Sequence, residues 1–351
     1  DLRTMDLLEE PSAARVSRRV PVAYDPAAAC PTFERAIFEI FEGKRDVVAC
    51  FQRAVGYSLC GDKGRKFMFM CVGEGGDNGK SLLLSTFRKL FGDYGVTVKP
   101  RVMFDRSPDA HNHDIADLEG TRIAVISEIK PNARFATDEF KRLVGGTDDI
   151  RADRKHCDGR EFLITFAFWA AVNRVPRLPP GDAPLGNRIL AFPFLRTFKK
   201  EEQDVTLKDK FWAERAGILN WVIEGYHAYL RNGTRGIDPP AEVVAHTAAI
   251  RAAGDVVQAF LDDVCEVGAG YSVGLDALYR AYKAWHADSG ETSWALSKND
   301  FSSDLARRGY ATERGPKPAK LSLKLGLRLR AEEPDADPTA ADVAAALAGL
   351  N

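Results

Sequence analysis

The feature that most constrains the fold of this chain is a glycine-rich loop between a short apolar run and a helix-forming segment. The apolar run is short enough to be a buried strand, and it reads Phe67-Met68-Phe69-Met70-Cys71-Val72. The loop and the start of the next helix, which is predicted at about 80–91, read Gly73-Glu74-Gly75-Gly76-Asp77-Asn78-Gly79-Lys80-Ser81. A strand, a glycine loop and a helix in this order predict an α/β fold with a phosphate-binding loop (P-loop).

The chemistry of this loop suits a nucleoside triphosphate. Glycines let backbone amides wrap the triphosphate oxygens, Lys80 can reach the β- and γ-phosphates, and the Ser81 hydroxyl can hold Mg²⁺. The positive end of the helix dipole falls at the same place. The usual P-loop spacing, G-x₄-G-K-[ST], calls for a glycine at position 74, where this chain has Glu74. Either the loop is one residue longer and begins at Gly73, or Gly75 takes the role of the first glycine. We expect ATP and Mg²⁺ as ligands; the alternative is a fortuitous glycine loop.

The rest of the chain alternates helical and strand patterns. Helical spacing of apolar residues predicts helices at 33–59, 137–144 and 216–230. Further strands are predicted at 122–127, 164–172 and 189–194, with a polar hairpin at 150–162. This alternation favours an α/β sheet covered by helices.

Changes in composition predict five regions. They are a lead-in at 1–30, a helical segment at 31–62, a nucleotide-binding domain at 63–232, a smaller domain at 241–330 and a tail at 331–351. The residues between 232 and 241 are rich in Gly and Pro and are predicted to be an inter-domain linker. The tail is Ala-rich with five acidic residues and no Lys or Arg, and we expect it to be disordered.

Overall composition excludes some classes of protein. The net charge is −1, so the chain is no polycation, and no run of about 18 apolar residues predicts a membrane span. Six scattered cysteines without a CxxC pair indicate reduced, mostly buried thiols in a cytoplasmic protein. Because the first residue is Asp1, we interpret the chain as a fragment of a longer polypeptide.

Three polar residues at strand ends complete the pattern expected of an ATPase. Glu128 follows an apolar strand, where a carboxylate can face Mg²⁺ and the attacking water. Asn173 follows another, where an amide can bond both the γ-phosphate and that water. Arg188 precedes the strand at 189–194 and suits an arginine finger that acts on a neighbouring subunit's ATP. Each has a plain alternative, namely a strand-ending acid, a turn-forming Asn and a surface Arg paired with an acid.

The order of these features resembles the helicase domain of superfamily 3, specifically the phage- and plasmid-type and poxvirus-type primase-helicases. The resemblance covers 33–230. It is carried by the stretches FKRLVGGTDDIRA (140–152), NRVP (173–176), NRILAFPF (187–194) and GILNW (217–221). It implies an AAA+-like P-loop ATPase domain, which moves on single-stranded DNA as a ring, most often a hexamer.

Residue by residue, the resemblance assigns Lys80 and Ser81 to phosphate and Mg²⁺, Glu128 to water activation, Asn173 to γ-phosphate sensing and Arg188 to the finger acting in trans. Many relatives have two adjacent acids where this chain has Ser127 and Glu128, so Glu128 must serve both duties or share the metal with water. Three further cations fall where the family can sense nucleotide: Arg65, Lys66 and Lys141. For each of them, an ordinary solvated charge is at least as good an interpretation.

The polar stretch 151–160 would contact DNA. The resemblance makes it a hairpin that projects into the channel of the ring, with Lys155 and His156 at its tip and Arg154 beside them. A Lys can neutralise a backbone phosphate, and a His can stack on a base or donate to phosphate without reading sequence. As a bare charged turn, the same stretch would be a solvent-exposed loop.

The smaller domain has the pattern of a winged helix. Helices are predicted at 256–264, 275–287 and 299–308, and 306–330 contains eight Lys or Arg and one acid. This pattern suggests duplex binding, with ring packing or protein docking as the alternative. Tyr279, Tyr282 and Trp285 recur every three residues, so we interpret them as core residues.

The preferred interpretation is a ring-forming, ATP-dependent helicase of phage or plasmid replication, acting on single strands and forked duplexes in the cytoplasm of a bacterial host, with a primase domain upstream. Two alternatives explain part of the pattern. A DNA-independent ATPase switch would account for the P-loop, and a winged-helix origin- or operator-binding protein would account for the smaller domain. A nucleotide kinase would explain neither the hairpin nor a trans-acting Arg.

Overall fold

The protein is described by a computed structural model. It covers residues 2, 17–61, 66–104, 111–127, 129, 133, 135–145, 149–152, 160–173, 186–253, 255–288, 295–314 and 322–330. None of the helices in these ranges is both long and apolar enough to cross a membrane. The predicted tail and half of the predicted lead-in lie outside the described residues.

The chain divides into two compact units, Asp1–Asp255 and Val256–Asn351. The helices described in the first unit are α1 Pro31–Ile40, α2 Arg45–Cys60, α3 Lys80–Leu90, α4 His111–Ala116, α5 Thr137–Gly145, α6 Leu207–Ala213, α7 Arg215–Arg231 and α8 Ala241–Ala253. Short 3₁₀ turns lie at Gly92–Tyr94, Pro100–Val102, Lys200–Glu202 and Gly233–Arg235. The predicted helix at 33–59 is two helices, because the chain turns at Glu42 and Gly43, both with positive φ.

Five strands form the parallel sheet of the first unit. They are β1 Met68–Val72, β2 Gly95–Val98, β3 Ile123–Ile126, β6 Ala167–Val172 and β7 Ile189–Pro193, with β4 Ile150–Ala152 and β5 Arg160–Phe162 forming a separate hairpin. The strand order is β2-β3-β6-β1-β7, and every neighbouring pair is parallel. This confirms the predicted α/β class, and it brings the carboxyl ends of β1, β3 and β6 to one edge.

Each face of the sheet is covered by its own core, because successive side chains of a strand point to opposite faces. In β1, Phe69 and Cys71 belong to a core with α1, α2, α3 and α7, whereas Met68 and Met70 belong to a core with α5. Trp169 of β6 is fully buried in the first core. All five described cysteines are free thiols, and four of them are buried.

Helices α2 and α7 approach each other at two glycines. A Cβ on Gly56 would lie 2.1 Å from the backbone nitrogen of Tyr226, and one on Gly225 would lie 2.1 Å from the carbonyl oxygen of Gln52. Real Cβ atoms do not come this close to backbone atoms, so both positions require glycine for the helices to pack.

We expect Gly56→Ala to lower the free energy of unfolding by about 2 kcal/mol or more, because the two helix backbones must separate. Urea denaturation of both proteins measures this difference. Gly76→Ala is the matched control, since a Cβ there meets nothing within 4 Å. Equal stability of Gly56→Ala and the unsubstituted protein would contradict the close approach.

Helix α8 packs on the sheet, and this differs from the predicted domain boundary. The linker was expected to end the nucleotide-binding domain at 232. Instead, α8 lies in the first unit, and the Thr247 hydroxyl oxygen accepts a 3.1 Å hydrogen bond from the Ala191 N–H of β7. Because β7 is an edge strand, α8 covers backbone groups that would otherwise have no partner.

The second unit has the element order α9 Val256–Val264, β8 Cys265–Gly274, α10 Leu275–Asp288, α11 Lys298–Arg307, β9 Thr312–Arg314 and β10 Ser322–Leu329. Its three strands are antiparallel in the order β8-β10-β9. Tyr282 is fully buried, and Tyr279 and Trp285 pack against the same core, as predicted.

Candidate nucleotide-binding site

The P-loop lies at the carboxyl edge of the parallel sheet. Strand β1 ends at Val72, and α3 begins at Lys80 with the loop between them. In parallel α/β sheets, ligands bind in the crevice outside this edge. The sequence prediction of a strand, a loop and a helix is confirmed here within two residues.

Two positions of the loop require glycine, one because of a close approach to backbone and one because of its positive φ. A Cβ on Gly73 would lie 2.0 Å from the carbonyl oxygen of Phe194, which follows β7. Gly79 has φ +82°, and a Cβ there would lie 2.6 Å from the Ile40 Cδ1 atom of α1. The start of the loop therefore packs against the backbone that follows β7, and its end packs against the Ile40 side chain of α1.

The middle of the loop is open. Gly75 has φ +72°, and a Cβ at Gly75 or Gly76 meets nothing within 4 Å. Asp77 has φ +56°, a strained value for a residue with a side chain. Its carbonyl oxygen accepts a 2.9 Å hydrogen bond from the Phe198 N–H, which holds that conformation. The two glycines at the start thus differ in role, since Gly73 packs closely and Gly75 provides a turn beside open space.

Lys80 is a buried cation bound to neutral oxygens. Its side chain donates to the Gly73 carbonyl at 2.7 Å, the Asn78 Oδ1 at 2.8 Å and the Gly75 carbonyl at 3.4 Å. The residue is only 5% exposed, and burial lowers the pKa of its ammonium group. None of the three acceptors carries a formal charge. A phosphate oxygen at this place would supply the negative charge that they do not, so the residues present fit a triphosphate.

Ser81 and Asn173 lie at the same cleft. Ser81 is exposed in the first turn of α3, one residue after Lys80. Asn173 is exposed directly after β6, and the Gly73 N–H donates to the carbonyl of the preceding Val172 at 3.3 Å. Neighbouring parallel strands therefore bring Asn173 beside the start of the loop, as its position after a predicted strand indicates.

The cleft has a volume of about 770 Å³, and other elements form its remaining walls. One wall is α1, with Arg35 and Ile40, and another is the segment after β7, with Phe198, Val205 and Lys210. These residues were missed in the sequence, because no motif marks them and they lie about 40 residues before and 120 residues after the loop.

Arg188 lies at the opposite edge of the sheet from Lys80. Its carbonyl oxygen accepts a 2.7 Å hydrogen bond from the N–H of Met68, which is the first residue of β1. Lys80 comes after the other end of β1, beyond the loop that follows Val72. Five residues of strand span about 15 Å. The exposed Lys66 precedes β1 at the same edge as Arg188. The Arg188 Nη1 donates to the backbone carbonyl of Lys141 at 2.6 Å, so the side chain of Arg188 contacts α5.

Some predicted site residues lie outside the described residues. They are Glu128, Arg65, Arg154, Lys155 and His156. The flanks of the predicted hairpin are described, and β4 pairs with β5 antiparallel, with Ile150 opposite Phe162.

Several of the described basic residues of the second unit have partners within it. Lys324 is fully buried and donates to the Ser302 carbonyl at 2.9 Å, and burial lowers its pKa. Arg308 pairs with the buried Asp304, and Arg328 pairs with Glu266. The positive surface expected from the sequence is therefore reduced, since these cations have internal partners.

Comparisons with known proteins point to helicases. The model of a family of unknown function, DUF5906, matches residues 71–188. The Sputnik virophage protein named "Putative helicase V13" is 26% identical over 206 residues, which are 54% of this chain and 26% of that protein. The Frog virus 3 (isolate Goorha) protein named "Putative helicase 022R" is 24% identical over 256 residues, which are 67% of this chain and 26% of that protein. The chain thus spans about a quarter of the length of these relatives.

A solved structure shares the fold. The A-form apo structure of the NrS-1 C-terminal region has a TM-score of 0.51 and 11% identity, covering 87% of this chain and 77% of that one. The similarity to viral proteins named as helicases confirms the helicase resemblance predicted from the sequence.

Proposed function

We propose that this chain is the ATPase part of a superfamily 3, AAA+-like DNA helicase, which forms a ring and moves on single-stranded DNA. The observation that carries this proposal is the separation of Lys80 and Asn173, at one edge of the sheet, from Arg188 at the other. An arginine that cannot reach its own P-loop can complete the ATP site of a neighbour. The helicase names of the viral relatives support DNA as the partner.

ATP would bind with its phosphates in the P-loop. Lys80 would exchange its loop carbonyl partners for the β- and γ-phosphates, and the free N–H groups at the start of α3 would point at the same oxygens. The open space beside Gly75 and Gly76 leaves room for the phosphates. The Arg35 and Phe198 walls would enclose the rest of the nucleotide.

Ser81 and Glu128 would hold Mg²⁺, which neutralises charge on the β- and γ-phosphate oxygens. Glu128 would also accept a proton from the attacking water. The Asn173 amide would orient that water and contact the γ-phosphate. Its exposed position at the cleft supports this role.

Arg188 of one copy would stabilise the charge that develops on the γ-phosphate of the next copy. A site shared in this way implies a head-to-tail interface, and such interfaces form a ring when the rotation between copies closes. We propose a hexamer, with Lys66, Arg65 and Lys141 near the same interface.

The hairpin of β4 and β5 would carry Lys155, His156 and Arg154 into the channel of the ring. There, cations would follow the DNA backbone and the imidazole would stack without reading sequence. Motion of the hairpin with each ATP hydrolysed would pull one strand through.

The second unit would be a winged helix. Its order of helix, strand, two helices and two strands, with β10 between β8 and β9, supports this assignment. The internal pairing of its basic residues favours a docking or packing role over duplex binding. The upstream part of the full-length protein would contain the primase.

Strand displacement on a forked duplex tests the proposal. We expect Lys155→Ala to lose strand displacement and the DNA-stimulated part of ATP turnover, because the backbone contact is removed. Lys89→Ala is the control, since Lys89 lies over the Trp212 ring and α3 covers the opposite face of the sheet from the core that contains the hairpin. If Lys155→Ala unwinds as well as Lys89→Ala does, the hairpin assignment is wrong. If ATP turnover by the unsubstituted protein is the same with and without DNA, the DNA-independent switch is favoured.

A further inference from the structure

Helix α8 holds the loop that carries Arg188 through two hydrogen bonds. The Nη2 of Arg251 donates to the Ile189 carbonyl at 2.9 Å, and its Nη1 donates to the Asn187 Oδ1 at 3.2 Å. These two acceptors belong to the residues directly before and after Arg188. One guanidinium group therefore bridges both sides of Arg188.

The helix that provides this guanidinium is itself fixed on the sheet. Thr247, one helical turn before Arg251, is 3% exposed and accepts from the Ala191 N–H of β7 at 3.1 Å. Its hydroxyl donates to the Val243 carbonyl of the same helix at 2.7 Å. Because Thr247 is held at this point of β7, the backbone that carries Arg251 has a defined position relative to the loop.

Within the described residues, Arg188 makes two other hydrogen bonds, and neither crosses its loop. Its carbonyl oxygen is held by the Met68 N–H at 2.7 Å, and its Nη1 donates to the Lys141 carbonyl at 2.6 Å. The second bond uses one of the five N–H donors of a guanidinium group, so the others can serve a phosphate. The bridge from Arg251 is the contact that fixes the loop on both sides.

We propose that Arg251 is a positioning residue that orients Arg188 toward the ATP of the adjacent copy. This inference rests on the proposed function, because it assigns a part to the same trans-acting finger. Arg251 does not line the cleft of its own copy, and in this proposal it acts only through Arg188. A guanidinium suits the task because its planar donors can bond a carbonyl and an amide oxygen together, whereas a Lys ammonium is a single point donor.

Arg251→Met tests the bridge, because Met keeps much of the aliphatic stem and removes both hydrogen bonds. We expect kcat for ATP hydrolysis to fall roughly 10- to 100-fold, since a small misplacement of a catalytic group has effects of this size. KM for ATP should stay within about twofold, because the P-loop of the same copy is intact. Arg251→Lys should recover part of the lost kcat, since it can restore one bond.

Arg18→Met is the matched control. The Arg18 guanidinium likewise donates to two carbonyls, those of Asp93 and Glu119, but it lies beside β2, the outer strand opposite β7 in the sheet. We expect its kcat to stay near that of the unsubstituted protein. An equal loss of kcat in Arg18→Met would show a general effect on folding and overturn the proposal.

Mixing copies separates positioning from local damage. Arg251→Met has an intact P-loop and a misplaced finger, whereas Lys80→Ala has an intact finger and a disabled P-loop. Mixed rings should regain ATP turnover above that of either variant alone. Unchanged kcat in Arg251→Met, or a loss that mixing does not relieve, would overturn the positioning role while leaving the proposed function in place. Full turnover by Arg188→Ala would instead refute the finger, and the role of Arg251 with it.

Discussion

Lys80→Ala is expected to reduce ATP turnover about 100- to 1,000-fold, because it removes the cation that would bind the β- and γ-phosphates. The variant should still fold. Burial lowers the pKa of Lys80, which means that the free protein holds this ammonium group at a cost that alanine removes. Steady-state ATP hydrolysis and thermal unfolding measure the two expectations.

Lys89→Ala is the control for Lys80→Ala, since it removes a second lysine from the same helix. Its ammonium lies 3.6 Å from the centre of the Trp212 ring, at the far end of α3 from the P-loop. We expect ATP turnover to be nearly unchanged in this control. Turnover by Lys80→Ala at the level of Lys89→Ala would rule out the P-loop as the site of ATP hydrolysis.

Arg188→Ala is expected to lower kcat at least about 1,000-fold, the range seen when an arginine finger is absent. ATP affinity should change little, because every P-loop stays intact and the finger acts mainly on charge that develops in the transition state. The control is Arg142→Ala, which removes a partly exposed arginine of α5 that pairs with Glu139. Measuring kcat and nucleotide affinity separately tests this split.

The trans arrangement predicts the behaviour of mixtures. Arg188→Ala copies have intact P-loops and Lys80→Ala copies have intact fingers. In a ring of equal numbers placed at random, about a quarter of the head-to-tail interfaces pair the two intact halves. We therefore expect up to about a quarter of the unsubstituted turnover from the mixture and almost none from either variant alone. A mixture that stays inactive, or full turnover by a monomer in dilute solution, would contradict a shared site.

Much of the fold followed from local patterns in the chain. The apolar run from Phe67 to Val72 before the glycines became β1, Met68–Val72, and the residues from Lys80 onward became α3. These elements are predictable because buried strands and helix starts depend on nearby residue types. The same holds for Asn173, since a polar residue directly after a central parallel strand reaches the ligand-binding edge.

Other parts of the site depended on contacts between distant residues. Nothing near Arg35 or Phe198 in the sequence marks a cleft wall, and Arg251 lies beyond the predicted end of the nucleotide-binding domain. The Gly- and Pro-rich stretch before α8 was interpreted as a linker, because such residues break helices wherever they occur. Whether the next helix belongs to the same unit is decided by Thr247 and Arg251, which bond groups of β7 and the Arg188 loop.

The basic stretch 306–330 shows the same division. Its excess of Lys and Arg is evident in the sequence, but a charge count does not reveal that Lys324 is buried or that Arg308 faces Asp304. Composition gives the number of charges. Their availability to a partner depends on which side chains fold back onto the unit.

The sequence by itself determined the P-loop, the strand and helix around it, and the polar residues that end or begin neighbouring strands, because short-range spacing governs all of these. Only the tertiary structure decided which edge of the sheet each residue occupies. Parallel pairing brought Asn173 to Lys80 and carried Arg188 to the opposite edge. That outcome depends on strand order and direction, which are set by packing across more than a hundred residues of chain.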